Sequence, residues 1–455
     1  MLKLINMLLF MLFVSVAQAD FRGYLLDDDW WKTATLEEVR QQVGMSPNLN
    51  KTDDVGRTPL MYAVMHRKSP EAVKMLLEKS AKVRTEDDMG MTPLLYALRY
   101  KADTEIIDLL LQHGADVNTV AYDGRTPLYE AILNDFPVDT IAALVKKGAD
   151  VKDCCNLASM HGSKHSLLMT TIHKAEKGDE KFVRIAEILL ENGADATEIT
   201  SINYTPLIYA IELQTSPKMI DLLVKYGADI NKRVNGNLPL MSALRLPNPV
   251  YVSKLLAYGA DVSGNAGENE TLFCYALKYG ARTETIQHFI DHGAEVQPAD
   301  ATGGVPLVCA ASEPNNTQVI ELLLTHGAEV NMRDKGGHNA LERAANAEIA
   351  EILIQHGAKI DARDNSGRTV LMKVQSAEVV DILIKYGADI NARDSEGRTV
   401  LMWLTVNKAE RQAIEKLLML GADVGARDND GNSVADYAER YYPEIGEMLE
   451  KYGAY

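Results

Sequence analysis

At 455 residues, with 46% hydrophobic and 24% charged residues, the chain has the composition of a folded protein and the length for several domains or one long array. Its net charge of −17 argues against a nucleic-acid partner, because phosphate recognition needs clustered Lys and Arg; it fits a solvated acidic surface or a basic partner. Aromatic residues at 6% leave little for a large aromatic core, and four cysteines (Cys154, Cys155, Cys274, Cys309) are too few for a disulfide framework.

The first segment in chain order, MLKLINMLLFMLFVSVAQAD, reads as a secretory signal: Lys3, an apolar run from Met7 to Val16, then Ala17-Gln18-Ala19 before Asp20. The run is shorter than the roughly 20 apolar residues a membrane helix needs. Cleavage is expected near Ala19, with an exported product, periplasmic or extracellular, and no stable membrane insertion. A signal peptide is therefore assigned to residues 1–19.

The remainder repeats. Glycines at Gly114, Gly148, Gly193, Gly227, Gly259, Gly293, Gly327, Gly357, Gly387, Gly421 and Gly453, with Ser80 in the same place, are spaced by 34 residues in the commonest case and by 45 or 30 at the extremes. Fourteen residues after most of them comes an apolar position: Leu94, Leu128, Leu207, Phe273, Leu307, Leu341, Leu371 and Leu401. Thr-Pro pairs such as Thr58-Pro59 and Thr92-Pro93 predict helix starts, the Thr capping free N–H groups and the Pro fitting the first turn. A second helix is predicted to end at each glycine, which takes the left-handed conformation. His113, His292, His326 and His356, just before their glycines, suit the negative helix end.

This pattern resembles the ankyrin repeat family over essentially the whole chain after the leader. The resemblance implies an all-α solenoid of about 12 stacked repeats, each a helix pair with a short β-hairpin finger. Residues 20–50 read as an N-terminal capping half-repeat, 51–425 as the array and 426–455 as a C-terminal capping repeat. The family's TPLH histidine is absent throughout; Met61, Leu95, Tyr129, Ile208, Met241, Cys274, Val308, Glu342, Met372 and Met402 stand there instead. From Leu341 to Gly357 there are 16 residues where Leu94 to Gly114 has 20, so the deletion is expected between the helices and the two 30-residue repeats should lack about one helical turn.

The resemblance places partner binding on the concave face and finger tips. The positions implied are Met65, His66, Arg99, Tyr100, Leu133, Asn134, Arg245, Leu246, Lys278 and Tyr279, which vary in chemistry on a constant framework. Tyr62, Tyr96, Tyr209 and Tyr275 recur one turn earlier, and read as packing between first helices in preference to a stacking ladder for a ligand. Asp, Asn and Gly in the fingers read as turn chemistry in preference to calcium sites.

The fourth repeat, residues 152–196, is enlarged, and its finger carries Cys154, Cys155, His161 and His165. Those residue types can bind zinc or copper, can oxidise to a disulfide, or can have no special role. Cys274 and Cys309 fall on consecutive first helices, which pack about 8–10 Å apart. A disulfide needs Cα atoms within about 7 Å, so both are expected to be free core residues.

No phosphate loop, nucleophile elbow, zincin pattern or calcium loop occurs. The function expected is a non-enzymatic protein-interaction scaffold without a cofactor, monomeric, with another protein as partner. The alternative is a metal or thiol-redox accessory protein using the enlarged finger, in which case metal or an active thiol pair should accompany it.

Overall fold

In the computed structural model the described residues are 24–46, 48–152, 166–201, 203–267, 270–297 and 304–454. The leader and the finger holding Cys154, Cys155, His161 and His165 lie outside them. The chain divides into two compact units at Asp229 and Ile230.

The first unit begins with the helices Asp28–Thr33 and Leu36–Met45. Trp31 is wholly buried there and donates its indole N–H to the Leu25 carbonyl at 2.9 Å. Helix pairs follow: Pro59–Met65 with Pro70–Glu78, Pro93–Arg99 with Thr104–Gln112, Pro127–Leu133 with Val138–Lys146, Leu167–Lys174 with Glu180–Glu191, and Pro206–Glu212 with Pro217–Lys225. The local causes are those the sequence implies. The hydroxyls of Thr58, Thr92, Thr126 and Thr205 each accept the backbone N–H three residues on, with Pro in the first turn. At the other end the chain turns through a left-handed residue, Ser80 at φ 69° in one repeat and Gly114 at 83° in the next. The extra length of the fourth repeat goes partly into a 3₁₀ turn at Glu176–Gly178 and a 12-residue second helix.

The second unit continues with Pro239–Leu244 and Val250–Ala257, Leu272–Lys278 and Thr283–Asp291, then Pro306–Ala311 and Thr317–Thr325. Two repeats then have only a 3₁₀ turn in place of the first helix, Leu341–Arg343 and Val370–Met372, before the helices Ala347–Gln355 and Ala377–Lys385. Three residues stand where neighbours have six or seven, which is the missing turn. Val400–Val406 with Arg411–Met419, and Val434–Tyr441 with Gly446–Lys451, complete it. Each unit is thus an all-α solenoid of stacked helix pairs. Among the described residues the fingers are mostly hydrogen-bonded turns; the paired strands Asn265–Gly267 and Glu270–Thr271 form one β-hairpin.

Apolar faces close the stack: Leu94, Ala97 and Leu98 of one first helix, and Ile106, Ile107 and Leu110 of its second, are inaccessible to solvent. A polar stitch runs beside them. The Asn118 side chain donates to the Gly148 carbonyl at 2.9 Å and accepts from the Asp150 N–H at 2.8 Å, one repeat on. Asn331 does the same to Gly357 and Lys359. The four histidines at second-helix ends do more than face a dipole: in each, Nδ1 lies 2.8–2.9 Å from the carbonyl four residues back.

One expectation is corrected. Cys274 and Cys309 are joined in a disulfide, with Cα atoms 5.6 Å apart. The spacing of helix axes did not bound this distance, because Cα atoms lie about 2.3 Å off their axes. On facing surfaces they approach by up to twice that amount.

In the short repeats charge takes the place of the lost helix. The Glu342 carboxylate, with no solvent exposure, pairs with Arg333 at 2.8 Å and Lys373 at 2.9 Å, and Lys373 reaches Asp364 at 2.9 Å.

Candidate functional site

The fingers and first helices build one recurring assembly. In the first finger Asp53 accepts the Val55 and Arg57 N–H groups on Oδ1, at 3.0 and 2.7 Å, and Gly56 supplies the left-handed φ of 81° that the turn needs. Its second oxygen accepts the Tyr62 hydroxyl at 2.6 Å, nine residues on and in the first helix. Tyr62 in turn stacks on His66, centroids 6.4 Å apart and 7° between planes.

The same three-part unit recurs as Asp87, Tyr96 and Tyr100, with 2.5 Å for the hydrogen bond and 6.0 Å between rings. In the last repeat it is Asp428, Tyr437 and Tyr441, at 2.6 and 6.2 Å. Trp403 donates its indole N–H to Asp394 at 2.9 Å in the repeat before. Where no aspartate stands, other groups substitute: Tyr275 receives Arg245 at 3.5 Å and carries Tyr279, centroids 4.4 Å apart. The inner aromatics Tyr62, Tyr96 and Tyr275 are buried, as packing residues should be, while Tyr100, Tyr279 and Tyr441 are 45%, 54% and 39% exposed.

Burial, then the bond to Asp53, pushes the Tyr62 hydroxyl up to about 12. Burial and Asp428 push Tyr437 up to the same value. Desolvation works against ionised Asp53 and Asp428, but the donors around each outweigh it and hold both carboxyls below their ordinary range.

The third finger reverses the arrangement. Ala121 stands where Asp53 and Asp87 stand, and Glu130, nine residues on, replaces the tyrosine. Glu130 is inaccessible and is held by Arg99 Nε at 2.8 Å, Arg125 Nη1 at 3.3 Å and Asn134 at 2.9 Å. The carboxylate has moved from finger to helix, and its counter-charges come from Arg99 of the repeat before and Arg125 of its own finger.

The ten positions implied for partner binding therefore differ in availability. Arg99 and Asn134 are committed to Glu130, and Arg99 also to Asp123 at 2.7 Å. His66 lies 2.8 Å from Asp28 of the N-terminal helix, and Lys278 donates to Glu270 at 2.6 Å. Met65, Leu133 and Leu246 are half-buried. Arg245, Leu246 and Tyr279 share the lining of a cavity of about 230 Å³; Lys278 lines another, of about 360 Å³, with Cys309. Tyr100 and Tyr279 remain the exposed, preorganised aromatic positions of the set. The sequence reading missed the partner of the buried tyrosines, although an Asp nine residues before an aromatic was there to be seen.

Among the described residues no group of three or more His, Cys, Asp or Glu is placed to hold a metal ion. No described helix is long and apolar enough to cross a membrane. Hydrogen-bonded finger turns and stacked aromatics, repeated at intervals along helix pairs, are the architecture of a helical repeat solenoid.

The chain belongs to the ankyrin repeat family: the family described as Ankyrin repeats (3 copies) matches overlapping segments between residues 34 and 155 and between 172 and 428. Among curated relatives, Ankyrin repeat and SOCS box protein 6 of Pongo abelii is 30% identical over 134 residues, 28% of this chain and 32% of its own length. The Homo sapiens protein of that name is 29% identical over the same shares. Putative ankyrin repeat protein FPV031 of Fowlpox virus (strain NVSL) is 30% identical over 147 residues, 30% of this chain and 42% of that protein. The chain thus spans less than half the length of each, and the likeness is one of repeats.

Proposed function

We propose that this chain is an exported, non-enzymatic scaffold that holds a partner protein on the first-helix and finger face of its repeats. The observation that carries this is the aromatic pair. A buried tyrosine fixed to the finger or a neighbouring repeat presents a second ring to solvent, at Tyr100 in the first unit and at Tyr279 in the second. Rigid exposed tyrosines lose little conformational entropy on binding and are enriched among interface anchors. Family membership supports a protein partner. The signal-like leader and the Cys274–Cys309 disulfide support an oxidising compartment, periplasmic or extracellular.

The test is capture of partners from the native exported fraction with the full chain and with a Tyr100→Ala/Tyr279→Ala variant. A partner held by the first and lost by the second, with unchanged circular dichroism, is the expected result. The same partner on both would remove the aromatic positions from the interface. Repeated failure of both baits would overturn the scaffold reading.

A further inference from the structure

The tips of the first three fingers differ from those of the last three repeats in a way that the fold does not require. The two residues before the tip glycine are Asp54-Val55, Asp88-Met89 and Tyr122-Asp123 in the first unit, and Asn365-Ser366, Ser395-Glu396 and Asn429-Asp430 at tips of the second. Each tip of the first set pairs one large apolar residue with one aspartate; none of the second set carries an apolar residue. The turn is the same in both. Asp88 N–H donates to the Val55 carbonyl at 3.1 Å and Tyr122 N–H to that of Met89 at 2.9 Å, as Ser395 does to Ser366 at 3.0 Å.

The apolar tips are exposed: Val55 by 42%, Met89 by 60%, Tyr122 by 76%, with Val120 beside them at 54%. Asp54 and Asp88 are exposed as well and make no ion pair among the described residues. The strip is also held firmly. A Cβ on Gly56 would stand 3.0 Å from the Asp87 backbone, and one on Gly90 would stand 3.1 Å from the Tyr122 ring, so consecutive tips pack directly on one another. A surface already ordered gives up little freedom when a partner arrives.

Resting on the scaffold reading above, we infer that this strip docks an extended segment of the partner in which a Lys or Arg adjoins an apolar side chain at intervals of about three residues. The cation answers Asp54 and Asp88, and the apolar groups cover Val55, Met89 and Tyr122. The interval follows from stacking: neighbouring repeats stand about one helix thickness apart, ~10 Å, and extended chain rises about 3.3 Å per residue. A second copy docked face to face would set these aspartates against each other, so a basic segment is the occupant the charges favour.

The test uses three synthetic 12-residue peptides, repeats of Lys-Leu-Ser, Lys-Ser-Ser and Glu-Leu-Ser, titrated onto the full chain by fluorescence anisotropy at about 0.15 M salt. The Lys-Leu-Ser peptide should bind about tenfold or more tightly than either control, a difference of about 1.4 kcal/mol. A Val55→Ser/Met89→Ser/Tyr122→Ser variant should lose that margin, and Asp54→Asn/Asp88→Asn should weaken binding several-fold and flatten its salt dependence. Equal binding of the two lysine peptides, or an unchanged affinity in the tip variant, would overturn the inference. So would self-association of the wild type that disappears in the tip variant, which would give the strip to a second copy. In the capture experiment, a partner lost with Tyr100→Ala/Tyr279→Ala but retained by the tip variant would sink this proposal and leave the scaffold standing.

Discussion

The Tyr96 hydroxyl donates to the Asp87 carboxylate at 2.5 Å, and so ties a first helix to the finger that leads into it. The same aspartate accepts the Met89 and Met91 N–H groups on its other oxygen, at 2.8 and 2.9 Å, so one side chain both closes the turn and anchors the ring. Replacement Tyr96→Phe keeps the packing and leaves Asp87 Oδ2 without this donor. The expected loss is about 1.5–3 kcal/mol, the range for hydrogen bonds to charged groups. Tyr100→Ala, at an exposed position, should stay within about 1 kcal/mol. Denaturant titration of both variants checks the contrast, and equal losses would refute it.

Alkali should act through the same pairs. Tyr62 and Tyr437 ionise near 12 in the folded chain against an ordinary value of 10.0, so the folded state holds these protons longer than the unfolded one. Their contribution to stability is complete below pH 10 and disappears as pH rises towards 12. For Asp53 and Asp428 the folded value is lowered from 3.8, so their contribution is present above that value and is lost as pH falls below it. The stability difference between wild type and Tyr62→Phe/Tyr437→Phe should therefore shrink between about pH 10 and 12. A difference constant across that window would contradict the assignment.

Glu130 sits between two guanidiniums that are only 25–29% exposed. Glu130→Ala removes the buried carboxylate and leaves Arg99 and Arg125 to share Asp123 alone, and should cost roughly 2–4 kcal/mol. The neighbouring repeats suggest the repair. A double variant, Ala121→Asp with Glu130→Tyr, restores the finger-to-helix pair of the two repeats before it and returns an anion to the same place. Thermal unfolding should show the double variant well above Glu130→Ala, and no recovery would mean that carboxylate and tyrosine are not interchangeable in this frame.

The Cys274–Cys309 bond joins residues 35 apart on consecutive first helices. Closing a loop of that length stabilises a fold by about 3–4 kcal/mol in the chain-entropy account. Thiol titration of the unfolded, unreduced chain should find both cysteines blocked. Reduction, or Cys274→Ala/Cys309→Ala, should lower the unfolding temperature of the second unit without changing that of the first. Labelling of Cys274 and Cys309 themselves in the oxidised protein, mapped by peptide so that Cys154 and Cys155 are told apart, would disprove the bond.

Much of the frame was legible because it rests on local rules. Thr before Pro marks a helix start, glycine marks a helix end, and the distance between them sets the helix lengths, including the shortened pair at Leu341–Arg343 and Val370–Met372. What escaped depends on which groups the stacking brings together. Asn118 and Asp150, or Glu130 and Arg99, lie about one period apart, and nothing in either segment alone reveals the contact. Arg99 looked available for a partner for that reason, and the spacing of helix axes hid the approach of Cys274 to Cys309. The exposed strip at Val55, Met89 and Tyr122 escaped for another reason: tips vary between repeats, and only burial separates a packed methionine from an open one.

The two shortened repeats bear on how the second unit comes apart. A solenoid is held by contacts between neighbours, so its cooperativity is no stronger than its weakest junction. Around Glu342 and Lys373 a turn of helix is missing and ion pairs stand beside the buried Leu341, Val370 and Met372, while the repeats on either side keep full first helices. Having lost a turn of helix, this junction is where the second unit should open first, and amide exchange there should run ahead of exchange in the repeats on either side.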